Sequence, residues 1–265
     1  MHHIKISIEA SEVDQEILIG LLNEFGATGF EQTETQLFVY FEEGFDETGV
    51  HGVLKKLAFV STNVLEQNWN AVWEAHFQPV IVGRFCAVRA HFHQPISMAE
   101  HEIVITPKMS FGTGHHATTY MMLSQMQALN FQKKTVLDFG TGTGVLAILA
   151  EKRGAAQITA IDNDTWSFEN VQENILLNNC SRIEAKLTET IPAAMFDIVL
   201  ANITKNVLLH YMGLLKSCLN QNGSLLVSGL LAADEAELTI AAQNWGFHLV
   251  QQTQKDGWVA LLFAN

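Results

Sequence analysis

Residues 136–147 read Val136-Leu137-Asp138-Phe139-Gly140-Thr141-Gly142-Thr143-Gly144-Val145-Leu146-Ala147. An apolar run typical of a β-strand ends at Asp138, three glycines follow at alternate positions, and an apolar helical pattern begins at Val145. A strand, a tight glycine turn and a helix in this order begin a βαβ unit. Because glycine has no Cβ, such a turn lets a ligand approach the backbone closely, and the start of the helix offers that ligand free N–H groups.

The spacing of the glycines distinguishes two classes of nucleotide-binding turn. The dinucleotide fingerprint needs Gly or Ala three positions after its second glycine, and that position holds Val145. The observed GxGxG resembles the turn of S-adenosylmethionine (SAM)-dependent methyltransferases. A short strand, 158–162, then ends in Asp162, where an acid can accept hydrogen bonds from a ribose diol. The alternative is an ordinary glycine turn with a helix-capping acid, because a single glycine-rich match is weak evidence.

The composition limits the class of protein. The chain has 265 residues, of which 48% are hydrophobic, enough for one large domain or two unequal ones with a substantial core. We expect neither a membrane span nor a signal peptide, because no apolar run is long enough. Cys86, Cys180 and Cys218 are far apart and form no CxxC pair. This pattern predicts a protein of the reducing cytoplasm without disulfides or a zinc site.

The charge is strongly acidic, with a formal net value of −13. Such a surface repels phosphate backbones and attracts basic partners. We therefore expect a cationic protein as the partner and no direct contact with nucleic acid.

The first 58 residues follow a β-α-β-β-α pattern, and a short strand near Asn63–Glu66 completes it as β-α-β-β-α-β, which predicts a small α+β domain of the ferredoxin-like class. They hold three lysines, no arginine and 11 acidic residues, a net charge of −8. Two interpretations stay open: a solvated packing domain, or a docking module that recognises a basic protein substrate. Residues 59–70, with Ser61, Thr62 and Asn63, are predicted to be a linker. Residues 71–265 then form the second domain.

A loop rich in hydrogen-bonding groups, residues 106–119, precedes a helix predicted to begin at Tyr120. Gly112 and Gly114 permit unusual backbone angles, and Thr118 or Thr119 is a candidate N-cap. We interpret the segment as a ligand-facing loop; a plain flexible loop is the alternative. His91 and His93, predicted on one side of a strand, make a poor metal site, and no metal is predicted.

Alternating strand and helix patterns continue to the C-terminus and predict a doubly wound α/β sheet. The buried strand 196–203 ends with Asn202, and two last strands, 248–254 and 257–263, are predicted to form an antiparallel pair. Ligands of such sheets bind at the carboxyl ends of the strands. Gly140, Asp162 and Asn202 all fall there.

Taken together, these motifs resemble those of the bacterial ribosomal protein L11 methyltransferase family. The family's FGTG-H-TT loop matches residues 111–119, and its acidic N-terminal domain and its Trp69…Trp73…Phe77-Gln78-Pro79 segment also look similar. The resemblance covers nearly the whole chain. One departure is Thr106-Pro107-Lys108, where the family usually has an acidic residue, proline and glycine. This departure concerns the local loop geometry more than the activity.

The resemblance implies a Rossmann-like SAM methyltransferase domain behind the small N-terminal domain. It implies that SAM is the cofactor and that ribosomal protein L11 is methylated at its α-amine and at lysine ε-amines by a cytoplasmic enzyme, which we expect to be a monomer. The implied cofactor-binding residues are Phe111, Thr119, Gly140, Gly142, Gly144, Asp162 and Asn202. Asn202 and Thr113 are the candidate catalytic residues.

Methyl transfer to nitrogen requires a neutral amine whose lone pair points at the methyl carbon. A lysine with a pKa of ~10.4 is protonated at pH 7, and removing its proton costs about 4–5 kcal/mol. Asn202 can accept an amine N–H and so fix the direction of the lone pair, with assistance from Thr113. The alternative for Asn202 is an amide that satisfies turn backbone. His115 or His116 as a base, or as a packing residue, also stays open.

Two other functions compete with this prediction. The first is a SAM-dependent methyltransferase for another protein side chain or a small-molecule amine. Glutamine-methylating relatives carry Asn-Pro-Pro-Tyr, whereas Asn202 is followed here by Ile203-Thr204-Lys205. The second is a non-enzymatic acidic adaptor. An adaptor need not bind SAM, so a binding titration separates the two classes.

Overall fold

The structure is a computed structural model that describes residues 2–55, 57–65, 77–108 and 110–265. It divides into two compact units, Met1–His76 and Phe77–Asn265.

The first unit follows the predicted β-α-β-β-α-β order. Its elements are β1 (His2–Glu9), α1 (Glu12–Asn23), β2 (Ala27–Gln32), β3 (Gln36–Glu42), α2 (Glu47–Leu54) and β4 (Phe59–Leu65). The strands form an antiparallel sheet in the order β2-β3-β1-β4. Ser11 is the N-cap of α1, as the sequence suggests, and accepts a hydrogen bond from Asp14 N–H at 3.4 Å. Buried Ile6, Leu22 and Phe41 belong to the core of this unit.

The end of the first unit differs from the prediction. β4 pairs with β1 from His2↔Leu65 to Ile8↔Phe59, so residues 59–65 of the predicted linker belong to the sheet. The strand expected near Asn63–Glu66 is present but begins at Phe59. Ser61 and Thr62 are exposed because β4 lies at an edge of the sheet, and their polarity favoured a linker over these residues. Residues 66–70 of the linker, and Trp69 and Trp73 of the aromatic series, lie outside the described residues.

The second unit begins with a three-stranded sheet, whose strands are β5 (Val80–Val82), β6 (Cys86–Ala90) and β7 (His101–Ile105). β7 is absent from the predicted elements because only its last three residues are apolar. The expectation that His91 and His93 share a strand face is wrong. Both follow the end of β6, and His93 Nδ1 accepts a hydrogen bond from Ala90 N–H at 3.2 Å. Across the described residues, no cluster of side chains could hold a metal ion.

The large sheet of the second unit confirms the predicted α/β class. Its strands are β8 (Thr135–Phe139), β9 (Gln157–Asp162), β10 (Ile183–Leu187), β11 (Phe196–Asn202), β12 (Leu219–Leu231), β13 (His248–Lys255) and β14 (Trp258–Ala264). Their order is β10-β9-β8-β11-β12-β14-β13. The first five strands in this order pair in parallel, whereas β14 runs antiparallel to both neighbours. The predicted antiparallel pair at the C-terminus is therefore confirmed.

Helices cover both faces of this sheet. They are α3 (Ala117–Met126), α4 (Val145–Lys152), α5 (Thr165–Leu177), α6 (Lys205–Ser217) and α7 (Glu235–Asn244). Successive residues of β8 belong to different cores: Val136 packs in the cluster that contains α4, and Leu137 in the cluster that contains Leu208 of α6. This alternation explains the continuous apolar runs of the central strands, which are buried on both sides.

Two further expectations concern the whole chain. The three cysteines are free, as predicted. Within the described part of the chain, none of the helices is long and apolar enough to cross a membrane.

Candidate active site

The glycine turn after β8 has the close-packed backbone that its sequence predicts. Gly140, Gly142 and Gly144 have φ values of 74°, 55° and 81°, which lie in the left-handed region that favours glycine. A Cβ on Gly142 would lie 2.3 Å from the backbone oxygen of Phe111, and one on Gly140 would lie 2.3 Å from Ile203 Cγ2. A side chain at Gly140 or Gly142 is therefore excluded by both backbone conformation and space.

Asp138 lies beneath the turn and is fully buried. Its Oδ2 accepts hydrogen bonds from Thr141 Oγ1 at 2.7 Å and from Ala147 N–H at 3.2 Å. Its Oδ1 has no partner among the described residues. Burial disfavours the charged form and raises the pKa of this carboxyl to about 7. Asp138 therefore joins the turn to the first residues of α4.

Asp162 is the last residue of β9, next to the turn. Its Oδ2 accepts from Gly142 N–H at 2.9 Å, and its Oδ1 accepts from Asp164 N–H at 3.1 Å. A carboxylate has about four lone-pair sites, so it can accept further hydrogen bonds from a ligand. The position is the one predicted for ribose recognition.

Asn202 ends β11 at the same edge of the sheet. Its Nδ2 donates to Thr119 Oγ1 at 3.2 Å, and Thr119 is fully buried in the first turn of α3. The amide oxygen of Asn202 is buried without a partner among the described residues. An unpaired buried acceptor costs about 1–3 kcal/mol. A ligand that donates a hydrogen bond to this oxygen would remove that cost.

The glycine turn, Asp162 and Asn202 meet at a cavity of about 450 Å³, which is within the size range of small-molecule sites. The cavity lies at the carboxyl ends of the parallel strands β8, β9 and β11. Its walls are formed by Phe111, Phe139, Gly140, Gly142, Ile161, Asp162, Asn163, Ser167, Thr188, Glu189, Asn202, Ile203, Thr204, Val207 and Tyr211. Five predicted site residues therefore line one cavity.

Three other predicted residues are not among those wall residues. Gly144 is the N-cap of α4, and Thr119 lies behind Asn202, to which it is hydrogen-bonded. Thr113 Oγ1 lies 3.2 Å from His115 Nδ1, and His115 Nε2 lies 2.7 Å from the backbone oxygen of Gln78. The predicted N-cap is wrong, because His116 caps α3 and its Nδ1 accepts from Thr118 N–H at 3.4 Å.

Several wall residues were not predicted from the sequence. Thr188 and Glu189 follow β10, which was not predicted because two of its five residues are charged and none is buried. Had that strand been recognised, its carboxyl end would have indicated both residues. Tyr211 lies within the apolar pattern of α6, where its ring is 4.9 Å from that of Phe139. Its spacing does not distinguish it from core residues.

Comparison with known proteins identifies the family of this chain. The model of the family "Ribosomal protein L11 methyltransferase (PrmA)" matches residues 46–265. A ribosomal protein L11 methyltransferase of Porphyromonas gingivalis is 37% identical over 264 residues, which cover 95% of this chain and 91% of that protein. The chain belongs to the ribosomal protein L11 methyltransferase family.

Other relatives agree with this membership. The family member of Chlorobaculum tepidum is 34% identical, and the match covers 98% of this chain and 96% of that protein. The crystal structure of a ribosomal protein L11 methylase from Lactobacillus delbrueckii subsp. bulgaricus is 27% identical with a TM-score of 0.66. The match covers 71% of this chain and 98% of the chain in that crystal structure. A methyltransferase from Pyrococcus furiosus, at 17% identity and a TM-score of 0.52, covers 61% of this chain and 88% of that chain and shares the fold alone.

Proposed function

We propose that this protein is a SAM-dependent N-methyltransferase that methylates the α-amine and lysine ε-amines of ribosomal protein L11. We expect it to act in the cytoplasm, as a monomer and without direct contact to nucleic acid. The observation that carries the proposal is the buried, unpaired Oδ1 of Asn202 beside the cavity at the glycine turn. Within a methyltransferase family, this oxygen is the group best suited to accept an amine N–H.

The residues of the cavity fit SAM as the cofactor. Gly140, Gly142 and Gly144 leave the backbone free of Cβ atoms, Asp162 retains lone pairs for a ribose diol, and Phe111 supplies an apolar wall. We assign cofactor contacts to these residues and to Asn202, which Thr119 holds in orientation. When bound, SAM supplies an electrophilic methyl group.

We assign the orientation of the amine to Asn202. The bond from Nδ2 to Thr119 Oγ1 fixes the plane of the amide, so Oδ1 keeps one direction. An amine that donates one N–H to Oδ1 has its lone pair held at a fixed angle, and such positioning lowers the entropic part of the barrier. The amine proton passes to water. Thr113 of the 106–113 loop is proposed as a second polar contact of the amine.

The experiment that tests this role is Asn202→Ala in single-turnover methylation of ribosomal protein L11 at saturating SAM. We expect a rate loss of about 100-fold, as for other lost positioning contacts. Asn220→Ala is the matched control: its amide also bonds a neighbouring side chain, Asp197, but at the opposite end of the sheet. A rate within about twofold of wild type for Asn202→Ala would exclude Asn202 from orienting the nucleophile.

We assign the first unit to the ferredoxin-like class and propose that it recognises the protein substrate. Its net charge of −8 within residues 1–58 supports this role, because opposite charges accelerate and orient association. A second support is a row of exposed apolar side chains on α1: Val13, Ile17 and Leu21 are 73%, 58% and 43% exposed. Asp14 and Glu16 lie between Val13 and Ile17 in the sequence, so this part of the helix offers apolar contact beside acidic residues.

Ile17→Lys in the full chain tests this surface. We expect kcat/KM toward intact ribosomal protein L11 to fall about tenfold while SAM affinity stays unchanged, because docking energy is lost in a unit that contributes none of the cavity's wall residues. Ile240→Lys, at an equally exposed site on α7, is the control. Activity of the wild type should also fall with added salt, since charge steering is screened over ~8–10 Å. Equal kcat/KM for both variants, or indifference to salt, would contradict a docking role.

A further inference from the structure

Helix α5 reaches the cavity with Ser167 in its first turn and carries a row of amides on its buried face. Asn170, Asn174 and the C-cap residue Asn178 follow at four-residue intervals and are at most 9% exposed. Asparagine is a poor helix former, and a buried amide costs free energy unless it is hydrogen-bonded. The bonding partners of these three residues therefore indicate what this face of the helix does.

Two of the amides bond the backbone at the end of β7 and just after it. Asn178 Oδ1 accepts from Val104 N–H at 3.0 Å, and its Nδ2 donates to Val104 O at 2.6 Å. Asn170 Nδ2 donates to Thr106 O at 3.0 Å. Asn170 therefore holds the chain where the 106–113 loop begins, whereas Asn178 holds Val104 within β7.

Asn174 differs from these two because it bonds two separate segments. Its Oδ1 accepts from Thr106 N–H at 2.8 Å, and its Nδ2 donates to Thr143 O in the glycine turn at 2.8 Å. Its side chain is fully buried, so water does not compete for these bonds. Asn174 thus fixes the distance between the start of the loop and the glycine turn.

The other end of the loop is bonded to the same turn residue. Thr143 N–H donates to Phe111 O at 2.9 Å, and Thr143 Oγ1 donates to Gly112 O at 2.7 Å. Space is so limited that a Cβ on Gly112 would lie 2.8 Å from Thr143 Oγ1. Thr143 therefore bonds the loop directly with its N–H and its hydroxyl. Its carbonyl is connected to the start of the loop indirectly, because it accepts from Asn174, which also bonds Thr106.

We propose that Asn174 is a positioning residue for methyl transfer. By holding Thr106 and Thr143 together, it sets the 106–113 loop, with Phe111 and Thr113, against the glycine turn, and so places the amine relative to the cofactor. This proposal rests on the proposed methyl transfer, and it adds a residue that contacts neither reactant.

The test compares Asn174→Leu with Asn178→Leu, which removes two bonds of the same kind to Val104 and a third bond to Asn174 O on the same helix face. For Asn174→Leu we expect kcat toward ribosomal protein L11 at saturating SAM to fall about 30- to 100-fold, with KM within about threefold, as for small misplacements of reacting groups. SAM affinity should stay within about threefold, because Gly140, Thr141 and Gly142 N–H keep their bonds to β9. Asn178→Leu should lose stability but keep kcat within about twofold of wild type.

Hydrogen exchange of the 106–113 loop gives a second readout that needs no substrate. It should quicken at least about tenfold in Asn174→Leu and not in Asn178→Leu, since exchange reports local opening. Equal kcat losses in the two variants, or unchanged loop exchange in Asn174→Leu, would overturn the positioning role. If wild type fails to methylate ribosomal protein L11 while the loop still loosens in Asn174→Leu, the proposed substrate is wrong and the positioning role stands.

Asn174→Asp covers the case in which Asn174→Leu does not fold. It keeps the shape and the acceptor for Thr106 N–H but loses the donor to Thr143 O. We expect a kcat loss that grows as pH rises, because the ionised carboxylate repels that carbonyl. A kcat equal to wild type across the pH range would contradict the proposal.

Discussion

The glycine turn and the 106–113 loop lie against each other but are held by different kinds of bonds. Gly140 and Thr141 donate their N–H groups to Ile161 O on the neighbouring strand, so the turn is fixed by backbone close in sequence and space. The loop is fixed at Thr106 by amides and a carboxylate of α5, more than 60 residues further along the chain. The turn therefore depends on local sequence and the loop on tertiary contacts.

Gly142→Ala should break the turn and give the largest effect. A Cβ there combines left-handed strain with a clash against Phe111 backbone. We expect the free energy of unfolding to fall by about 4–5 kcal/mol, near the upper limit for one substitution, and SAM binding to be lost in calorimetry. Gly257→Ala is the control, since Gly257 has a similar φ but open space. Equal effects of the two variants would show that strain alone, without the clash, accounts for the loss.

Asp138→Asn probes the charge beneath the turn through its pH dependence. The folded pKa of about 7 exceeds the ordinary carboxyl value of 3.8, so the folded state retains a proton that the unfolded state releases. Wild-type stability therefore falls as pH rises from about 4 to about 7. Relative to wild type, the variant should gain up to about 4 kcal/mol over this window, as three pKa units imply. Urea titrations that show a pH-independent difference would refute the raised pKa.

Asp162→Ala should weaken SAM binding by about 1.5–3 kcal/mol, the range for hydrogen bonds to a charged group. The variant loses the acceptor for Gly142 N–H as well as the proposed ribose contact. Asp162→Asn keeps one oxygen acceptor and should show a smaller loss. Unchanged affinity of Asp162→Ala in calorimetry would exclude the ribose role.

Glu173→Gln tests the loop at its exposed side and should give the smallest effect. Glu173 accepts from Thr106 Oγ1 at 2.8 Å and pairs with Lys108 at 2.5 Å, and the Lys108 hydrogen bond is the main cause that lowers the pKa of this carboxyl. Half-exposed ion pairs contribute about 0.2–1 kcal/mol, so kcat should change less than about threefold. Glu184→Gln, in the exposed pair with Lys186, is the control. A tenfold loss in Glu173→Gln alone would mean that the ion pair, rather than Asn174, holds the loop.

The sequence predicts the turn well because its glycines and the apolar patterns before and after them are contiguous in the chain. The apolar run before Gly140, the alternate glycines and the apolar pattern after Val145 correspond to β8, the turn and α4. Asp162 and Asn202 were found by the same reasoning, since parallel strands place their carboxyl ends together. The departure from the family's usual residues at Thr106 and Lys108 is also visible in the sequence. In the structure, both side chains donate hydrogen bonds to Glu173.

The sequence does not reveal which residues that lie far apart in the chain form hydrogen bonds with each other. Asn170, Asn174 and Asn178 belong to the region of alternating strand and helix patterns, and their four-residue spacing in a helix shows that they share one face. Nothing in that spacing shows that the face is buried against the 106–113 loop. β7 and β10 were missed for a related reason: short strands at the margin of a sheet carry mixed polarity, which tertiary pairing rather than local pattern stabilises.

The amides of α5 have one more consequence, which concerns aggregation. β7 is the last strand of its sheet, and in the described part of the chain no other strand pairs with its free side. Unpaired N–H and C=O groups on such an edge are a template for strands of other molecules. Asn178 occupies both backbone groups of Val104, and Asn170 and Asn174 occupy those of Thr106. A side-chain amide carries the same donor and acceptor as a peptide, so the helix closes the edge against intermolecular pairing and against the growth of cross-β aggregates.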